Sequence, residues 1–227
     1  MMFTTFVGAG HYSKTAKTGL SNIEGVVTFP GGEFDMLRID GVCTAEGSIE
    51  ANSVNINGVF TARRDVYANE LDCDGVVTID GNLRMKKADI NGVVTVHGDK
   101  VEADFIRCDG VLTAEKQVSA DIIEAQGFVN AKEIVGDRIR IGSFRKSSIF
   151  KLFMKIKETM TNSDFSKIDL IEATTIELRG VRAKNVNGHD VTIGPACIID
   201  RVDCSGTLSI DETAKVGEVV GSVNPQG

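Results

Sequence analysis

Five cysteines (Cys43, Cys73, Cys108, Cys197 and Cys204) and three histidines (His11, His97 and His189) are the side chains of this 227-residue chain best equipped for nucleophilic, redox or metal chemistry. Their spacing supports none of the three. There is no C-x-x-C pair and no Cys/His set at ligand spacing, so neither a zinc site nor a dithiol centre is legible. An odd number of cysteines without such pairs fits a reducing cytoplasm better than a disulfide framework. The histidines are scattered, and no G-x-S-x-G elbow, Walker loop or dinucleotide fingerprint accompanies them. Carboxylates and amides alternate in one recurring position: Asp40, Asn57, Asp74, Asn91 and Asp109 each stand directly before a glycine. A calcium ladder is the sharp interpretation, but carboxylates separated by an intervening amide cannot share an ion that needs oxygens at about 2.5 Å. The row is expected to be a solvated edge in which Asn relieves the repulsion between Asp residues. No metal, cofactor or small-molecule substrate is expected.

The glycines behind that row mark the elements that carry it. Gly25, Gly41, Gly58, Gly75, Gly92, Gly110 and Gly127 follow one another in steps of 16, 17, 17, 17, 18 and 17 residues. Aligned on them, each column keeps its character. Two before the glycine stand Ile39, Ile56, Cys73, Ile90, Cys108 and Ala125; two after it stand Cys43, Phe60, Val77, Val94, Leu112 and Val129. Within each short run the apolar residues are two apart, the period of a strand. A unit of about 17 residues cannot bury its own apolar side, whereas stacked copies turn each column into an internal ladder. The chain is therefore expected to be all-β, a parallel β-helix of three short strands per coil. About ten coils at about 4.8 Å would give a rod on the order of 45 Å long. Cys43, Cys73 and Cys108 sit where other coils place Phe, Val or Ile, so they are expected to be small core hydrophobes.

The expected layout is a flexible N-terminal tail over 1–21, seven coils over 22–142, an insertion over 143–167, the remaining coils over 168–221 and a C-terminal tail over 222–227. Two exposed features stand out. The residue after the glycine, in Val42, Val59, Val76, Val93, Val111 and Phe128, should point outward as a lateral apolar stripe. The end coils, with Val26, Val27 and Phe29 at one end and Leu208, Ile210, Val216, Val219 and Val220 at the other, should present open core and unpaired strand edges. The insertion has Ile149, Leu152, Phe153, Ile156 and Met160 on one helical face, and from Ser143 to Met160 it holds five Lys/Arg and one Glu. It reads as a short basic amphipathic helix. Phe150, Phe153, Lys151 and Lys155 are its candidate contacts with the rod, a partner or anionic lipid, and Phe3 and Phe6 are a second candidate membrane anchor.

Composition narrows the function. The formal net charge of −7 argues against nucleic-acid binding. No run of 18 apolar residues spans a membrane, and the N-terminus lacks the h-region of a secretory signal.

The repeats "INGVFTARRDVYANELD" and "CDGVVTIDGNLRMKKAD", with their neighbours from Ile23 to about Gly142, resemble the bactofilins, polymer-forming cytoskeletal proteins of bacteria. The tail "VTIGPACIIDRVDCSGTLSIDETAKVGEVV" is similar to longer members. The resemblance implies a right-handed β-helix and nucleotide-independent, end-to-end homopolymers. It also implies a non-enzymatic, cytoplasmic scaffold for envelope, cell-shape or motility machinery, peripheral on the inner face of the membrane. The insertion is absent from the minimal family pattern. The alternative is carried by "VTIGPACIIDRV", which is similar to the hexapeptide repeat of left-handed β-helix acyltransferases and has His189 as its one candidate base; the dominant step of 17 departs from three hexads.

Overall fold

Alternation in sequence becomes alternation in burial. In the strand Ile49–Ile56, Ile49, Ala51, Val54 and Ile56 are buried, whereas Glu50 and Asn52 are exposed. The phase slips by one residue at Asn52–Ser53, where the chain turns a corner and begins a second face. A second corner at Asn57–Gly58 leads to the strand Val59–Ala62, a third face. Seventeen residues later the path repeats. Ile49 pairs with Val66, Ile56 with Cys73, and Phe60 with Val77, all in parallel register. The computed structural model describes residues 3–11, 16–142, 166–221 and 224–225, with side chains described over 21–142 and 166–221. Over these residues the chain is a parallel β-solenoid of about ten turns.

We call the three faces A, B and C after the rows that floor them. Face A carries Phe34, Ala51, Ala68, Met85, Ala103 and Ala120; face B carries Leu37, Val54, Leu71, Ala88, Ile106 and Ile123; face C carries Val27, Cys43, Phe60, Val77, Val94, Leu112 and Val129. These rows form one continuous core, most of it with no solvent exposure. The axial backbone hydrogen bonds are the stabilising cross-links, because each coil satisfies the N–H and C=O groups of the next.

The corner between faces B and C explains the glycine row. A Cβ on Gly58 would fall inside van der Waals contact of the Gly41 carbonyl oxygen, and the same holds for Gly75 against Gly58. Successive corners approach too closely for any side chain.

Two departures from the sequence-based layout concern the ends of the first block. Residues 3–11 and 16–20, expected to be a flexible tail, are extended. The strand Phe3–His11 pairs in parallel with Leu20–Thr28 and adds a partial coil to the stack. At the other end, the expected insertion boundary at 167 moves inward, because the strand Ser166–Leu178 already pairs with face C, Ile168 lying against Ala131. The body of the insertion, 143–165, with Phe150, Lys151, Phe153 and Lys155, lies outside the described residues. Ser166 occupies a core position of face C with 2 % exposure, and its hydroxyl accepts the Val129 N–H at 3.1 Å. Among the described residues, no helix is long and apolar enough to cross a membrane.

Candidate assembly interface

The C-terminal end is where the core becomes accessible. Following one column outward, Leu178 and Ile193 are exposed by 1 % and 0 %, and the next residue, Ile210, by 40 %. In another, Val186 and Val202 show 0 % each and Val219 shows 44 %. Leu208 is still buried, and Val216 and Val220 are half-buried. The sequence continues the apolar pattern to the last coil because that coil is built like the others. Among the described residues, no strand pairs on the outer side of Lys215–Val220. The strand Lys215–Val220 pairs inward with Ile198–Asp203, and the short strand Asn224–Pro225 lies beyond Thr207–Leu208. Proline there has no N–H to offer.

At the opposite end the expected set requires correction. Val26, Val27 and Phe29 are not terminal, because Phe3–His11 stacks on their coil. Val27 and Phe29 are core residues, 2 % and 1 % exposed, and the Phe29 ring meets Phe34 edge-to-face at 5.9 Å. Phe3 and Phe6 lie opposite Leu20 and Ile23 in this added strand.

The lateral stripe is present over the first coils. Val26, Val42, Val59 and Val76 are exposed, by 42–57 %, and Val93 and Val111 are half-buried. Phe128, placed in this stripe by the sequence pattern, is buried instead. It stands beside the corner that separates Gly142 from Ser166, the two residues between which the regular coil repeat is interrupted in sequence.

Polar ladders line the corners. Asn57 donates to Asp40 at 2.7 Å and Asn91 to Asp74 at 3.0 Å, so in the glycine corner each of these amides serves the carboxylate one coil before it. The Asp40 carboxyl is held below its usual range by hydrogen bonds from Arg38 and Asn57. Asp72 has the opposite bias: partial burial, then the neighbouring Asp74 and Asp89 charges, push it up.

All five cysteines are buried. Burial pushes the Cys43, Cys73 and Cys108 thiols up to about 12, so thiolate chemistry at neutral pH is suppressed. His189 is exposed, and its Nδ1 lies 3.0 Å from the Ser205 hydroxyl. Ser205 was not legible as its partner, because 16 residues separate them and only the coil register brings them together. Next to them, Asp190 accepts hydrogen bonds from both the Thr207 hydroxyl and the Thr207 N–H, which hold its carboxyl low.

Over 48 residues the chain is 46 % identical to the uncharacterized protein YhbE of Bacillus subtilis (strain 168). That match covers 21 % of this chain and only 20 % of that protein. No protein-family model and no solved structure matches the chain.

Proposed function

We propose that this chain is a non-enzymatic scaffold of the bactofilin type, wound right-handed, which assembles end to end through its C-terminal coil. One observation carries this: columns with no exposure inside the rod run out into solvent at Ile210 and Val219. Covering each would contribute on the order of 1 kcal/mol, and the open strand edge supplies backbone partners to whatever lands on it. The occupant best matched to that end is a second solenoid with the same coil outline. On this reading the homopolymer works in the cytoplasm, against the inner face of the membrane, and organises envelope, cell-shape or motility proteins.

The test is Val219→Asp. An uncompensated carboxylate in the end contact costs about 3–5 kcal/mol, so filaments seen by negative-stain microscopy should shorten or vanish while the β-type circular dichroism persists. Filaments of unchanged length in a folded variant would overturn the proposal.

A second reading, an acyltransferase-like enzyme, keeps one observation in its favour: the His189–Ser205 pair beside the hexad-like tail. It expects compact trimers in the same micrographs, and an activity abolished by His189→Ala.

A further inference from the structure

Face A holds a feature that end-to-end assembly does not use. Four of the six side chains on its floor are alanines, Ala51, Ala68, Ala103 and Ala120, beside Phe34 and Met85, whereas the matching rows of faces B and C are mostly Leu, Ile or Val. The small side chains leave a groove of 1020 Å3 across six coils, about 24 Å long at about 4.8 Å per coil. Six carboxylates line it: Glu33, Asp35 and Glu50 toward the N-terminal end, and Glu102, Asp104 and Asp121 toward the other. Arg84 and Lys86 between them are its two cations, and Arg84 already lies 3.6 Å from Glu102. The groove is therefore acidic with a partly apolar floor.

The chain itself contains a segment of the complementary kind. Residues 143–165 carry Arg145, Lys146, Lys151, Lys155 and Lys157 against Glu158 and Asp164, together with apolar residues such as Ile149, Leu152 and Phe153. The rod launches this segment between Ile141 on face B and Ser166 on face C. That corner lies opposite face A, so the two points that anchor the segment, Gly142 and Ser166, sit across the rod from the groove of their own molecule and nearer to a neighbouring one. We propose that the face A groove is the docking site for the 143–165 segment of a second copy, joining rods side by side. The proposal deepens the self-assembling scaffold, yet it needs no end contact.

Mixed chains test it. Full-length protein labelled with 15N is mixed with unlabelled protein, both carrying Val219→Asp to suppress end stacking, and treated with a zero-length carboxyl–amine cross-linker. The expected result is mixed-isotope cross-links between Lys151, Lys155 or Lys157 and the groove carboxylates. They should fall at least tenfold in 0.5 M salt and in Glu33→Lys/Glu50→Lys chains, and return when those chains are mixed with Lys151→Glu/Lys155→Glu chains. Same-isotope cross-links alone would mean that the segment folds back on its own rod. Cross-links abolished by Val42→Asp but not by the groove variants would put it on the valine stripe. No cross-links at all would leave the groove to a different basic partner. Each of these three outcomes overturns the proposal. A failure of end stacking would show separately, as filaments that survive Val219→Asp.

Discussion

A thiol in this rod is a packing choice. Cys73 replaces Ile56 and Ile90 in one unbroken column, and Cys108 does the same one coil beyond Ile90. Cys43, Cys73 and Cys108 should therefore react with a thiol reagent only as fast as the coils open, and at full speed in denaturant; native labelling at the denatured rate would contradict the burial. The acids divide by sign. Thr207 holds the Asp190 carboxyl below its ordinary 3.8, so its stabilising effect is complete above that value and lost as pH falls through the lower, folded pKa. The gap in melting temperature between the protein and Asp190→Ala should thus be widest near neutrality and shrink below about pH 4. Asp72 runs the other way: its folded pKa is raised, so its contribution is present at low pH and lost as pH rises through that value. Asp72→Asn should raise the melting temperature at pH 7 and leave it unchanged near pH 3. Melts across pH would expose a reversed sign in either case.

Single coils are set by their corners. Gly58→Ala forces a methyl against the Gly41 backbone, which cannot yield without shifting a neighbouring coil, and should cost about 1–3 kcal/mol by urea titration. Gly180 offers a contrast. Nothing lies within 4 Å of its missing Cβ, but its φ is +60°. There Gly180→Asn should be nearly neutral, since Asn tolerates that conformation. Equal costs at the two sites would mean that close approach does not matter. These corners also mark what was legible. The glycine spacing and the apolar columns revealed coil length, register and the burial of the first three cysteines, because each coil repeats the same physical problem. The partial coil of residues 3–11 escaped notice because "FTTFVGAGH" lacks the acidic or amide residue before its glycine that signals the corner elsewhere. Phe128 was misplaced because the column rule assumes that each coil follows the last after about 17 residues, and here 23 residues, 143–165, intervene before Ser166. The groove was invisible for a related reason. Alanine in a buried column looks like ordinary core, and only the three-faced cross-section turns a row with four alanines in six positions into a depression.

The whole rod is a stack whose backbone hydrogen bonds run along its length, from Gly41 at one corner through Val59 and Gly58 to Val76 and onward. Each coil is clamped only by the two beside it. A filament built from such rods would carry tension through those same bonds, the described residues holding no separate cable to bear it. Pulled from its two termini, the chain should come apart from the ends inward, a coil at a time. Each coil of about 17 residues would release about 55–60 Å of contour at about 3.4 Å per residue. Optical-trap traces should then show a staircase of near-equal steps. A single rip of the full contour length would mean that the coils fail as one body. A staircase would make the protein a stepwise extensible tether, giving way by a fixed increment under overload and rewinding as the force relaxes.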